Sequence, residues 1–106
     1  MRVCEAKMIA AIKSGKSAVC GSNTRVLFNG HVASVYLHGN VIAEVSVGYQ
    51  TVCVCRDDCG WRTVTTKSRL NALADAFGCE RIYQHDHVWY IGGNKWHGCD
   101  MKVVWL

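Results

Sequence analysis

The sequence predicts an α+β fold, an antiparallel β-meander sheet with two α-helices in the order α-β-β-β-β-α-β-β and an optional last strand. Segments rich in β-branched and aromatic residues outnumber those with helical periodicity, and short turns containing Gly and Asn separate many of them. A chain of 106 residues has room for one core, so residues 1–106 are expected to form a single domain. An antiparallel sheet with both helices on one face would bury the apolar side of every element.

The first helix is predicted over residues 3–13, where Met8, Ile9 and Ile12 form one apolar stripe among good helix formers. Gly15 follows its last turn and is expected to end it, because glycine adopts the left-handed conformation of a helix C-cap without strain.

Four strands are predicted to follow as a meander, over residues 24–28, 31–38, 41–47 and 51–55. Asn29-Gly30 is a strong signal for a two-residue hairpin turn, and Gly39-Asn40 is interpreted as a second such turn. Turns this short join successive strands in antiparallel order.

The second helix is predicted over residues 67–77, with Thr65 or Thr66 as its cap and Gly78 at its end. Asn71 is a poor helix former in mid-helix, so its amide is expected to bond to a neighbouring loop. A polar anchor between sheet and helix is also expected, formed by a group of residues on one face: Tyr36, His38, Trp61 and Asn71.

Two further strands are predicted over residues 81–85 and 88–91, and residues 101–106 supply the optional last one. If that strand lies at the edge of the sheet, its unpaired backbone groups offer a route to association with a second copy. A homodimer is therefore left open.

Composition narrows the class of protein. The 50% hydrophobic and 19% charged residues are typical of a globular domain and argue against disorder. No apolar run is long enough for a membrane span and no secretion signal is recognisable, so we expect a cytoplasmic protein that does not bind membranes. The net charge of +4 comes from basic residues spread along the chain, and it favours an acidic partner only weakly.

The odd number of cysteines, seven, without a secretion signal indicates a reducing compartment. Four of them lie among apolar neighbours and are expected to be reduced packing residues: Cys4, Cys20, Cys53 and Cys79.

A metal site is a less favoured alternative for the Cys and His residues. Its candidate ligands are Cys53, Cys55, Cys59, His85 and His87. Thiolates and imidazoles are zinc ligands, but this spacing lacks the Cys-x-x-Cys pair of a zinc knuckle. In a strand, side chains two apart point to the same face, which two core residues would also do. We therefore expect no metal and no other cofactor.

Catalytic patterns are not recognisable. Cys59 is the most plausibly exposed thiol, but nothing in the sequence pairs it with a base, as a thiol enzyme requires. Asp57 and Asp58 are adjacent in a turn, and Gly92-Gly93 lacks the strand-to-helix context of a phosphate-binding loop. The sequence therefore predicts a protein that is not an enzyme.

The aromatic residues suggest a stacking surface for nucleic acid, although alternation in the strands places part of them in the core. The aromatic set is Trp61, Tyr83, Trp89, Tyr90 and Trp96. Trp96 lies in a Gly-rich loop and is expected to be exposed, as interface tryptophans often are. We therefore expect contacts with a partner at four residues: Trp96, Arg62, Lys95 and Arg81.

Three segments together resemble a group of small proteins of tailed bacteriophages and prophages. They read Asn23-Thr24-Arg25-Val26, then VYLHGNVIA at residues 35–43, then GWRTVTTKSRLNA at residues 60–72. The resemblance covers roughly residues 23–77 and carries no catalytic residue with it. It implies a phage accessory protein that acts in the cytoplasm of the infected bacterial host.

By analogy with other phage accessory proteins, such a protein binds and blocks a host protein or ribonucleoprotein complex. The expected targets are bacterial defence, as for anti-CRISPR proteins, and host transcription or replication. Two alternatives are a nucleic-acid-binding accessory protein and a minor virion component.

Overall fold

A computed structural model describes residues 2–54, 64–86, 88–96 and 101–105 of the chain. These residues form two helices, α1 (Val3–Ser14) and α2 (Val64–Phe77), and nine strands. The strands are β1 (Ala18–Cys20), β2 (Thr24–Phe28), β3 (Ala33–Leu37), β4 (Asn40–Ser46), β5 (Thr51–Val54), β6 (Ile82–His85), β7 (Val88–Ile91), β8 (Asn94–Lys95) and β9 (Met101–Val104). The α+β class and the predicted order of elements are confirmed, and the two shortest strands, β1 and β8, are additions to it. The start of the second helix is earlier than predicted, since α2 begins at Val64 and the predicted caps Thr65 and Thr66 lie in its first turn.

The described strands form two antiparallel sheets. The large sheet has six strands in the order β1-β2-β3-β4-β5-β9, and the small sheet has three in the order β6-β7-β8. The small sheet is joined to α2 at β6: Asn71 donates from Nδ2 to the Ile82 carbonyl at 2.9 Å and accepts from the Ile82 N–H at 2.6 Å. The Asn71 amide therefore bonds to a neighbouring segment as predicted, but to the strand β6 and not to a loop. The edge beside β5 is taken by β9, at the end of the large sheet.

The first hairpin turn of the meander differs from its prediction. Phe28 pairs with Ala33, so the loop has four residues instead of two and His31 and Val32 lie outside the strand. Asn29 Oδ1 accepts hydrogen bonds from the backbone N–H groups of His31 at 2.9 Å and Val32 at 2.8 Å. This local side-chain bonding competes with strand pairing and lengthens the loop.

The second turn lies one residue earlier than predicted. Leu37 pairs with Asn40, so the turn residues are His38 and Gly39, with φ values of 51° and 81°. Two consecutive positive φ values match the type I′ turn that suits the twist of a hairpin. The His38 N–H donates to the Asn23 carbonyl at 2.8 Å, and this bond joins the turn to the preceding loop.

One face of the large sheet is buried beneath both helices and the small sheet. The strand register places Val26, Val35, Ala43 and Val54 in one buried row across four strands. The α1 stripe packs with them in the same core through Met8 and Ile12. This core also contains residues of α2, of the small sheet and of the position just after β8: Leu70, Leu73, Ile82, Trp89, Ile91 and Trp96. The apolar stripe predicted on the first helix is thus confirmed.

Within the described part of the chain, neither helix has the length and apolar character that a membrane span requires.

Candidate partner-binding site

A buried ion pair joins the two helices beneath the large sheet. Arg69 Nη1 on α2 lies 2.7 Å from Glu5 Oε2 on α1, and the two side chains are only 5% and 4% exposed. Arg69 Nε also donates to Thr24 Oγ1 at 3.0 Å, and Ser68 Oγ donates to Glu5 Oε2 at 2.6 Å. The pair therefore fixes α1, α2 and β2 relative to one another.

Hydrogen bonding keeps Glu5 ionised despite its burial. Burial alone raises the pKa of a carboxyl, but the hydrogen bonds from Ser68, Arg69 and the Arg2 backbone, with the charge of Arg69, lower the pKa of Glu5 overall. Arg69 forms a polar anchor between helix and sheet, because it is long enough to reach β2 from α2. Of the four residues predicted for such an anchor, Asn71 instead bonds α2 to Ile82 of the small sheet, Tyr36 contacts Arg25, and Trp61 lies outside the described residues.

The network continues to the end of the large sheet through Asn23. Its Oδ1 atom accepts a hydrogen bond from Thr24 Oγ1 at 2.9 Å and a longer one from Arg69 Nη2 at 3.5 Å. Its carbonyl accepts the bond from His38 described above. The turns at this end of β1, β2 and β3 are therefore anchored to the buried ion pair.

The opposite side of β1, β2 and β3 carries an exposed surface, which we call the open face: Val19, Arg25, Leu27, Tyr36 and His38. Val19, Arg25 and Tyr36 are cross-strand neighbours in one row. The Arg25 guanidinium lies 5.3 Å from the centre of the Tyr36 ring, a cation–π contact that orients it. Within the described residues, no carboxylate forms an ion pair with Arg25.

Apolar side chains surround Arg25 on the open face. Val19 is 72% exposed and Leu27 is 40% exposed. Val19, Arg25, Tyr36 and His38 line a surface depression of about 400 Å³, together with turn residues. The solvated face of an antiparallel sheet is usually polar, so exposed aliphatic groups beside a cation that lacks a carboxylate partner are a departure from that pattern.

The small sheet presents a second exposed surface, which we call the aromatic face: Tyr83, Tyr90 and Lys95. Tyr83 and Tyr90 are directly opposite each other on β6 and β7, and their rings stack with centres 5.1 Å apart and planes 10° from parallel. Lys95 on β8 is the cross-strand partner of Tyr90 on its other side. Tyr83 is 46% exposed.

The residues predicted to contact a partner have different environments. Trp96 is only 2% exposed and packs against Trp89 with ring centres 5.8 Å apart, so its predicted exposure is wrong. The backbone places it there, since the Trp96 N–H donates to the Trp89 carbonyl at 2.8 Å. Lys95 is exposed. Arg81 is exposed but contacts both carboxylate oxygens of Asp75 at 3.2 Å, and Arg62 lies outside the described residues.

The candidate metal ligands that the structure describes are on different sheets. Cys53 lies in β5 of the large sheet, and His85 lies in β6 of the small sheet, 3.2 Å from Asp86. Among the described residues, no group of three or more His, Cys, Asp or Glu side chains could hold a metal ion. Cys55, Cys59 and His87 lie outside the described residues, so the metal site on the full set stays a prediction.

Two cysteines show the packing environment expected from the sequence. Cys20 is fully buried and Cys79 is half-buried, and burial raises the pKa of both thiols. The Cys4 thiol donates to the Cys20 carbonyl at 2.6 Å and joins α1 to β1. All three are free thiols.

Arg25 and Val19 lie on a surface that was not predicted from the sequence. The signal available for Arg25 was strand alternation, which places it outward between Thr24 and Val26. Val19 had no such signal, because a strand of three residues is too short to show a period.

A comparison with family models matches residues 1–103 to the family described as Kyanoviridae Gp96 protein. No curated protein and no solved structure is significantly similar to the chain. The motifs pointed to phages, and the family match confirms a phage origin. The match covers nearly the whole chain, which therefore belongs to the Kyanoviridae Gp96 family of small cyanophage proteins.

Proposed function

We propose that this phage protein binds a host protein or complex through the open face and blocks it by occlusion. One observation carries the proposal: Arg25 stacks on Tyr36 in a depression bordered by exposed Val19, with Leu27 nearby and no carboxylate partner among the described residues. Arginine and tyrosine are enriched among the residues that dominate protein interfaces.

The chemistry of the open face indicates the partner surface. An acidic side chain on the partner would supply a counter-charge for Arg25, and apolar side chains on the partner would cover Val19 and Leu27. The Tyr36 ring holds the guanidinium in place, so less side-chain freedom is lost when it binds. The net charge of +4 favours the approach to an acidic protein surface.

The target class follows from the phage family and from analogy with other accessory proteins. We propose a component of bacterial defence, as for an anti-CRISPR protein, or of host transcription or replication. Occlusion requires no reacting group, so the proposal keeps the expectation that the protein is not an enzyme.

Affinity capture from nuclease-treated lysate of host cells tests the proposal. The bait is the wild-type chain, and identification of its partners by mass spectrometry is followed by reconstitution with the purified partner. Arg25→Glu should weaken that binding at least tenfold, because the reversed charge repels an acidic partner surface. Val19→Asp should weaken it as well. Lys95→Glu makes the same charge reversal on the small sheet and should leave the affinity unchanged.

A functional assay then connects binding to inhibition. Wild-type protein should inhibit the activity of the reconstituted target, and Arg25→Glu should inhibit it correspondingly less while unfolding at the same urea concentration. If Arg25→Glu and Lys95→Glu weaken the partner equally, the open face is not the binding site. If the bound partner remains fully active, blocking is not the function.

A further inference from the structure

The aromatic face has a chemistry distinct from that of the open face. Its centre is a pair of tyrosines flanked by Lys95, with His85 paired to Asp86 at the far end of β6. The strongly exposed aliphatic side chains of the open face have no counterpart among the described residues of the small sheet, where Ile82 and Ile91 point into the core. Stacked aromatic rings beside a cation are typical of surfaces on which planar groups stack near an anion.

The arrangement of the two rings leaves one aromatic surface available. Tyr90 is in the central strand and has Tyr83 on one side and Lys95 on the other. Tyr83 is in β6, an edge strand of the small sheet, and covers Tyr90 with one side of its ring. The other side of the Tyr83 ring faces away from Tyr90, and the side chain is 46% exposed. A planar group can therefore extend the stack of two rings by one layer.

Lys95 lies within reach of a ligand that stacks on the Tyr83 ring. Neighbouring strands are about 4.8 Å apart, so the Lys95 backbone lies about 10 Å across the small sheet from that of Tyr83. Within the described residues, Lys95 forms no ion pair, whereas Arg81 is paired with Asp75. An anion placed one or two units along a flexible chain from a stacked base would meet the Lys95 ammonium.

We propose that the aromatic face binds single-stranded nucleic acid. One base stacks on Tyr83, and the phosphate backbone passes over Tyr90 toward Lys95. Every base has a flat π surface, so stacking of this kind tolerates many sequences. Base pairing in a duplex keeps the bases inside the helix, so the site should select single strands.

Fluorescence anisotropy with labelled oligonucleotides tests this site directly. The probes are single-stranded dT and rU 20-mers, which separate DNA from RNA, and a 20-base-pair duplex. Wild-type protein should bind at least one single strand more tightly than the duplex. Tyr83→Ala should weaken that binding by about tenfold, as expected for the loss of one base–aromatic stack. Tyr83→Phe keeps the ring and should bind like wild type.

Charge controls separate the site from general electrostatic attraction. Lys95→Ala should reduce the salt dependence of single-strand affinity by about one phosphate contact, a change of about 0.7 in the logarithmic slope. Lys16→Ala removes the same charge from an exposed position outside both surfaces and should leave both affinity and slope unchanged. Tyr83→Leu, which retains apolar bulk without a ring, replaces Tyr83→Ala if the smaller side chain unfolds the protein.

Several results would overturn the inference: no single-strand binding at low salt, equal binding of duplex, or equal losses from Lys95→Ala and Lys16→Ala. The same holds if Tyr83→Leu binds the probes as wild type does, or if Tyr83 substitutions abolish capture of a host protein instead. A failure of the nucleic-acid proposal does not affect the proposal for the open face, because that one is tested by Arg25 and Val19 variants with a protein partner.

Discussion

At the scale of single residues, the Glu5–Arg69 pair determines how the helices meet the large sheet. Two charges that are almost fully buried can be tolerated only when their hydrogen-bonding groups are satisfied. Ser68, Thr24, Asn23 and the Arg2 backbone supply those bonds. The pair is therefore one connected network, and removal of one member leaves the others buried without their partner.

Replacement of Arg69 by Met should strongly destabilise the fold. It leaves the Glu5 carboxylate buried without its counter-charge, and loss of one partner of a buried pair costs about 3–5 kcal/mol. Urea unfolding followed by tryptophan fluorescence measures the change. Arg81→Met removes an arginine from the exposed pair with Asp75 and should cost at most about 1 kcal/mol. Similar losses in the two variants would contradict the structural role of the buried pair.

The pH dependence of stability should carry the signature of Glu5. Its pKa is lowered in the folded state from 4.5, so the unfolded chain binds the proton more tightly. The stabilisation is present above the unfolded pKa and is lost as the pH falls through the folded pKa. The gap in unfolding free energy between wild type and Glu5→Gln should therefore be largest near pH 6 and narrow in acid. A gap that stays constant from pH 6 to pH 3 would show that Glu5 has no depressed pKa.

At the scale of elements, the turns decide where each strand of the meander begins. The His38–Gly39 turn needs two positive φ values, and its position sets the pairing of Leu37 with Asn40. The pairing of Tyr36 with Arg25 across β2 and β3 is set by the first turn of the meander, residues 29–32. A shift of the turn by one residue would exchange the buried and exposed sides of a strand and dismantle the open face.

Gly39→Ala should destabilise the protein by about 1–2 kcal/mol, the cost of left-handed backbone at a residue with a Cβ atom. A Cβ at Gly39 meets nothing within 4 Å, so the loss would come from the backbone alone. Gly48→Ala is the matched control, because its φ is not in the left-handed region and its Cβ also meets open space. Thermal unfolding of both variants provides the comparison, and an equal or greater loss in Gly48→Ala would argue against the turn assignment.

At the scale of the whole molecule, two sheets share one core and present two separate surfaces. The small sheet contributes Trp89, Trp96, Ile82 and Ile91 to the core beneath the large sheet. Tyr83 and Tyr90 point away from that core because residues alternate along a strand. The open face and the aromatic face therefore belong to different sheets and can be altered independently.

Trp96→Ala should test the place of the small sheet in this core. Truncation of a buried tryptophan leaves a large cavity and costs about 3–5 kcal/mol. Guanidinium unfolding monitored by circular dichroism should show that loss, whereas Lys95→Ala at the adjacent exposed position should change stability little. A Trp96→Ala variant as stable as wild type would contradict the burial of Trp96 and would support its predicted role as a partner contact.

Edge strands bear on self-association, which stays a prediction. The strand β9 lies at one end of the six-stranded order, the position for which pairing with a second copy was left open. Trp105, just beyond β9, packs against Phe77 of α2 with ring centres 4.8 Å apart. This contact joins the segment after β9 to α2.

The sequence by itself determined the α+β class, both helices and most strands, because hydrophobic periodicity and glycine caps act over a few residues. It also indicated the hydrogen bonding of Asn71, since an amide in mid-helix needs a partner. Only the tertiary structure decided that Arg69 reaches Glu5 and Thr24, that Trp96 is buried, and that the strands divide into two sheets. These outcomes depend on contacts between residues distant in sequence, whose distances no local pattern encodes. The surfaces proposed for partners are products of the same long-range packing.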